Sequence, residues 1–286
     1  MKPARHPADV HLARAWARRL PFLGFGDRPH HLFGHPYALA RTALRHSLKQ
    51  LAPALPSGPF LDVGCGTMPY RELFPLAMPY EGLEINQERQ HKNPRVTYFY
   101  DGETMPMAAD QFAAILCSEV LEHSFVPERL LSECHRVLRP GGALLLTMPF
   151  LWPEHEQPWD SQRFTHFGLR QRLVAAGFRV DCIMKLNSGL PALLQLSIEW
   201  LESLGRRLLG QLPMGWVRKA AQGLWRLLWA LPYTVLNLFG AFWRLASSRD
   251  VNWEQTPDAK GASSSPELYL TIVVLAVKTD PDGLML

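Results

Sequence analysis

At 286 residues the chain is long enough for one large domain with an addition and for a well-formed core. Its 30 Lys and Arg against 26 Asp and Glu are too small an excess to imply nucleic-acid binding, and no nucleic-acid partner is expected. Cys65, Cys117, Cys134 and Cys182 are scattered without CxxC spacing, which argues against a disulfide framework or a zinc ribbon and fits a reducing, cytoplasmic setting.

Residues 1–35 read as a basic N-terminal arm rich in Arg, His and Pro. Leu12, Trp16 and Leu20 recur every fourth position between Arg14, Arg18 and Arg19, which suits a short amphipathic helix on anionic lipid, or equally an arm packed on the domain. No apolar run follows Met1, so a cleaved secretory signal is not expected. Helical spacing over 36–51 ends in LAPALPSGP, which breaks the helix before the first strand.

The stretch FLDVGCGTMPY, residues 60–70, is an apolar strand running into an Asp and a glycine turn. Gly64 and Gly66 permit a tight turn and close approach to a ligand, and Pro69 suits the first turn of a following helix. A dinucleotide fingerprint would place a third Gly at Pro69. Its absence, with Asp62 ahead of the glycines, points away from a pyrophosphate and toward a ligand bearing an amine or a ribose. In YEGLEINQ, Glu84 closes a second apolar stretch, where an acidic side chain accepts hydrogen bonds from ribose hydroxyls. VTYFYDGETMPM reads as a strand ending in a polar loop that carries Asp101. Residues 112–150 read as strand, polar loop, a helix over 127–138 with Leu130, Leu131, Cys134, Val137 and Leu138 on one stripe, a Pro-Gly-Gly turn, and a strand. Runs such as ILC and ALLLTM suit parallel strands buried on both faces. The alternation predicts an α/β doubly wound sheet with its ligand at the carboxyl ends of the strands.

With CSEVLEH at the fourth strand and LRPGG before the fifth, the ordered motifs resemble class I S-adenosylmethionine-dependent methyltransferases of the type 11 group, from residue 60 to about 184. The resemblance implies a mostly parallel seven-stranded sheet and S-adenosyl-L-methionine as cofactor. It places Asp62 near the methionine amine, the backbone of Gly64, Cys65 and Gly66 along the cofactor, and Glu84 on the ribose. Asp101 would face the adenine, and Ser118 and Glu119 would border the methionine end. A further run, EHEQPWDSQRFTHFGL, resembles a subgroup often encoded with surface-polysaccharide or glycan biosynthesis.

That run mixes His155, Glu156, Asp160, Arg163 and His166 with Trp152, Trp159, Phe164 and Phe167, as a substrate lip over the cofactor's methyl end would. A helix over 168–176 and a strand over 178–185 follow, and the last strand is expected at 267–278. The methyltransferase domain is thus expected over 36–186 plus 267–286, with a hydrophobic helical insertion over 187–266 before the last strand. Six of the nine Trp lie between Trp200 and Trp253 in that insertion. Residues 223–242 approach the ~20 residues that span a bilayer, yet Pro232 interrupts them and Arg226 sits early. The reading is a helical hairpin lying at a membrane surface, with Arg206, Arg207, Arg218, Lys219 and Arg244 toward anionic lipid; a buried subdomain or a dimer surface is the alternative. Residues 249–265 read as a flexible loop.

Methyl transfer from a sulfonium is an in-line displacement, so the protein aligns the nucleophile and, for a hydroxyl, removes its proton. By position His123, His155 and His166 are the candidate bases. Asp160 and Arg163 form an ion pair holding the lip or bind a sugar. His155 and Glu156 are adjacent rather than on one helical face, so no metal is expected. The expected activity is O-methylation of a glycan or lipid-linked glycan precursor at the inner membrane face. The alternatives are methylation of a lipophilic small molecule such as a quinone or polyketide, and a non-catalytic cofactor-binding or membrane-docked scaffold.

Overall fold

The four-residue strand β1, Phe60–Val63, is buried along its whole length, as a strand covered on both faces must be. The structure, a computed structural model, describes residues 35–75, 79–85, 95–212, 215–247 and 268–279; the basic arm (apart from its last residue, His35) and the 249–265 loop lie outside them. β1 pairs in parallel with β2, Tyr80–Glu84, and with β4, Phe112–Ser118. β2 carries a short β3, Tyr98–Phe99, on its other side. β4 pairs in parallel with β5, Leu138–Pro149, and β7, Thr271–Lys278, runs antiparallel between β5 and β6, Phe178–Leu186. The order β3-β2-β1-β4-β5-β7-β6 is the expected seven-stranded, mostly parallel sheet.

Alternation along the strands divides the core into two layers. Leu61, Val63, Ile115, Cys117, Leu144 and Leu146 face helices α2, Pro127–Val137, and α3, His166–Ala175. Phe60, Ala114, Leu116, Ala143 and Leu145 face α1, Ala38–Leu51, which contributes Ala43, Leu44, Leu48 and Leu51. α3 begins earlier than its sequence spacing suggests, because Thr165 caps it by accepting the Gly168 amide at 3.2 Å.

Three sequence expectations need correction. The helix expected from Pro69 is a single 3-10 turn, Arg71–Leu73: Met68 already sits at φ +57, and Phe74 packs its ring 4.5 Å from that of Phe60, ending the turn. The Pro-Gly-Gly turn is a bulge inside β5. Phe112 pairs with Leu138 and Ala114 with Ala143, so the extra residues arch out where Gly141 takes φ +73. Pro232 interrupts nothing, for α5, Gly215–Ser247, runs through it. The carbonyl deprived of a donor belongs to Leu228, on the exposed side, where water can reach it.

The insertion is a hairpin of α4, Leu190–Gly210, and α5. Its polarity is inverted. Gln195, Glu202 and Asn237 are fully or almost fully buried, while Leu224, Leu227, Leu228, Leu231, Val235 and Phe242 are mostly exposed. Gln195 and Asn237 face inward because α1 and the residues just before it supply partners: Gln195 accepts the Ala40 amide at 3.2 Å, and Asn237 Nδ2 donates to the His35 carbonyl at 3.1 Å. Gly205 lets the two helices close, since a Cβ there would lie 2.4 Å from the Trp225 ring. Among the described residues no helix is long and apolar enough to cross a membrane.

Candidate active site

The parallel strands point their carboxyl ends to one edge, and left-handed residues gather in the segments that follow β1 and β4: Gly64 at φ +64, Gly66 at +49, Met68 at +57 and Glu119 at +55. For glycine this conformation costs little; at Glu119 it is strain held by the surroundings. Gly64 is also required by space, because a Cβ there would stand 2.4 Å from Val120 Cγ2. Among the described residues, a Cβ at Gly66 would meet only the Gly64 carbonyl at 4.0 Å.

Two acidic side chains close this loop. Asp62 is buried and accepts the Tyr80 hydroxyl at 2.6 Å. Burial pushes its carboxyl up to about 7, against the lowering effect of Tyr80 and with a further push from Glu84. Glu84 accepts the Gly66 amide at 3.0 Å through Oε2 and the Ile85 amide at 3.1 Å through Oε1. At the end of β4, Ser118 Oγ lies 2.8 Å from Thr147 Oγ1, and Thr147 donates to Glu119 Oε1 at 2.9 Å. Burial raises the Glu119 carboxyl to about 7, with Thr147 and Arg163 opposing it.

The lip folds back over this edge. Ser161 donates its amide to the Glu122 carbonyl at 2.9 Å, and Gln162 Nε2 donates to the Ser124 carbonyl at 2.8 Å. Arg163 grips Asp160 with both Nη nitrogens, Nη2 at 2.7 Å, so these two residues form an ion pair, one of the two roles their sequence leaves open. Burial pushes the Asp160 carboxyl up, but Arg163 and the His155 amide outweigh it and hold the group at about 2. His155 Nδ1 lies 3.0 Å from Asp160 Oδ2, and the rings of His123 and His155 meet edge to face at 4.9 Å. Burial lowers the His123 pKa.

Residues 61–146 match the family described as "Methyltransferase domain". The chain carries a methyltransferase domain. Its sheet is the class I arrangement, and S-adenosylmethionine is the cofactor, which brings an electrophilic methyl on a sulfonium. The domain's residues fit that molecule: an open glycine cradle follows β1, and carboxylates at the ends of β1 and β2 suit an amine and a ribose. Among curated proteins the chain is similar to malonyl-(acyl-carrier protein) O-methyltransferase of Alcanivorax borkumensis, 28% identical over 142 residues, 46% of this chain and 48% of that protein. It is also similar to human thiol S-methyltransferase TMT1B, 28% identical over 136 residues, 43% of this chain and 54% of that protein. The chain spans about half the length of these curated relatives. A solved structure from Galdieria sulphuraria, described as a candidate sarcosine dimethylglycine methyltransferase, superposes with TM-score 0.54 at 14% identity, covering 96% of this chain and 99% of that one. At that identity the likeness speaks for the fold.

Within the methyltransferase domain, Asp62, Gly64, Gly66, Glu84, Ser118 and Glu119 all sit in or beside the loops at the carboxyl edge of the sheet. Cys65 does so only with its backbone: its thiol packs into the hollow at Gly82, 2.7 Å from where a Cβ would lie, and burial raises its pKa. Asp101 is exposed and accepts the amides of Glu103 and Thr104, each at 2.8 Å, so its carboxylate shapes the loop after β3. His166 is buried at the start of α3 with its ring 6.4 Å from that of Tyr269, whereas His123 and His155 share one cluster with Glu122. Sequence reasoning missed Tyr80, Thr147 and the environment of Glu122. The partners of Asp62 and Glu119 come from other strands, and nothing in local spacing announces them.

Proposed function

We propose that the chain transfers the methyl of S-adenosylmethionine to a hydroxyl of a lipid-linked glycan precursor presented at a membrane surface. The acceptor oxygen forms a bond to the methyl carbon as the carbon–sulfur bond breaks, its electron pair passing to sulfur, and the hydroxyl proton leaves to a base. His155 and His123 are the candidate bases by position: His123 stands in the turn that follows β4, and the lip sets the His155 ring against it. The two relatives are named as O- and S-methyltransferases, so the hydroxyl acceptor rests on the chain's own lip rather than on them.

The observation that carries the membrane part is the inverted hairpin. Leu227 is 72% exposed and Leu231 73%, and Trp216 reaches 71%, on helices whose buried side sets Gln195, Glu202 and Asn237 among Ala192, Ile198 and Tyr233. A solvent-facing helix side with that composition is favoured against lipid rather than water, and exposed Arg207 and Arg218 supply positive charge at the α4–α5 turn. Trp159, 40% exposed beside Phe125, offers a face on which a sugar ring can stack.

A second reading, methylation of a lipophilic small molecule, is favoured by an open apolar groove of about 730 Å3 between Pro153 of the lip and Leu193, Leu196 and Trp200 of α4. The experiment that tests the proposal is calorimetric titration with S-adenosylhomocysteine, followed by methyl-transfer assays on lipid-linked sugars with and without anionic vesicles. Binding plus transfer that needs both lipid and sugar supports it. Transfer to a quinone-like acceptor alone moves the assignment to the second reading, and no cofactor binding by folded protein rejects both.

A further inference from the structure

Glu122 is fully buried, and among the described residues neither of its carboxylate oxygens has a hydrogen-bond partner. An ionised carboxylate left so is costly, and native structures answer that cost with a donor or a cation. What faces it is a pair of imidazoles. Nε2 of His123 lies 3.6 Å and Nε2 of His155 3.9 Å from Glu122 Oε1, and one ligand atom from each of the three residues lies within 4.8 Å of the others. Two ligands on one tetrahedral zinc ion stand about 3.3 Å apart, so a small contraction completes the set.

The surroundings are those of a ligand shell. The other nitrogen of His155, Nδ1, lies 3.0 Å from Asp160 Oδ2, and Arg163 fixes Asp160 from its far side. The His155–Asp160 contact is an ion-pair approach rather than a hydrogen bond, the same Asp160 oxygen accepting the His155 backbone amide at 3.0 Å, and the opposite ring nitrogen is the one nearer Glu122. The cluster follows directly on Val120, whose side chain lies against Gly64, so it borders the cofactor loop.

We propose that Glu122, His123 and His155 hold a divalent transition-metal ion of the zinc type, with a coordination position left for water or an acceptor hydroxyl. Two imidazoles and one carboxylate suit such an ion, whereas magnesium and calcium prefer all-oxygen shells. A hydroxyl ligated there becomes more acidic and gives its proton to solvent as its oxygen takes the methyl. That role rests on the methyltransferase reading; the binding of the ion does not. With both histidines engaged as ligands, the ion replaces them as the means of activating the acceptor.

The test is calorimetric titration of the chelator-stripped 286-residue chain with zinc, repeated on Glu122→Gln and His155→Gln, with S-adenosylhomocysteine binding measured on each protein. One equivalent of zinc is expected in the wild type, weakened by roughly tenfold or more in each variant while cofactor affinity is kept. His155, on the partly exposed lip, carries the test if Glu122→Gln does not fold. No stoichiometric zinc binding, or equal binding by the wild type and His155→Gln, overturns the site. Zinc binding without cofactor binding keeps the site and rejects the methyltransferase reading, while zinc-independent transfer in the stripped enzyme overturns the activating role.

Discussion

The carboxylate of Glu84 accepts the amide of Gly66 at 3.0 Å, so the acidic end of β2 is fastened to the glycine loop that follows β1. One residue therefore shapes the cradle and presents the hydrogen-bond acceptor expected for a ribose. Replacing Glu84 by Ala removes both, and the loss of charge-assisted hydrogen bonds is expected to weaken S-adenosylhomocysteine by about 10- to 100-fold. Glu84→Gln, which retains one acceptor oxygen, should lose less. Calorimetry on the two variants checks the order; equal affinity in wild type and Glu84→Ala removes Glu84 from the site.

Asp62 gives a pH dependence with a definite sign. Its carboxyl titrates near 7 in the folded chain against 3.8 as the ordinary value, so below pH 3.8 both states bind the proton and the group costs nothing. Between pH 4 and 7 the unfolded chain loses the proton first, and the folded state is progressively penalised, by up to about 4 kcal/mol from that shift; above 7 the penalty is constant. Asp62→Asn should flatten this part of the profile and raise cofactor-free stability at pH 7.5. Denaturant unfolding from pH 4.5 to 8 checks it, and a variant with the wild-type slope would exclude Asp62 as the source.

Cofactor affinity should run the other way. If the ionised Asp62 meets the methionine amine, binding is weak at pH 5.5 and strengthens as pH approaches 7, with proton release on binding. Calorimetry in two buffers of different ionisation enthalpy reads that proton directly. A pH-independent affinity would place the amine elsewhere.

Gly64 tolerates no side chain. Its φ of +64 and the 2.4 Å approach of Val120 together predict that Gly64→Ala destabilises by about 2–4 kcal/mol. Adding Val120→Ala should recover the steric part and leave the backbone part. A double-mutant cycle in urea separates the two, and strict additivity would show that they do not touch.

The outer face of α5 can be altered without touching the core, because Leu227 and Leu231 are nearly three-quarters exposed. The pair Leu227→Glu and Leu231→Glu should abolish sedimentation with anionic vesicles while the melting temperature stays within a degree or two of wild type. Unchanged vesicle binding would assign this face to another partner, and a large loss of stability would show that it is covered within the chain.

The sequence by itself determined whatever rests on local backbone demand. Gly64 and Gly66 stand where the chain must turn left-handed, the runs of β1 and β4 read as strands buried on both faces, and Glu84 ends β2 where the loop needs an acceptor. Tertiary structure decided the rest, because the deciding partner lies far along the chain. By sequence Pro232 marks a break, yet the packed helix runs on through it. The hairpin's spacing shows an apolar stripe on each helix but not which stripe turns inward, and α1 and the residues just before it settle that by offering amides and carbonyls to Gln195 and Asn237. Spacing sets His155 next to Glu156 in the lip, whereas folding brings it beside Glu122 and His123. A buried carboxylate's energy depends on which groups the fold brings to it, and spacing along the chain carries no record of that.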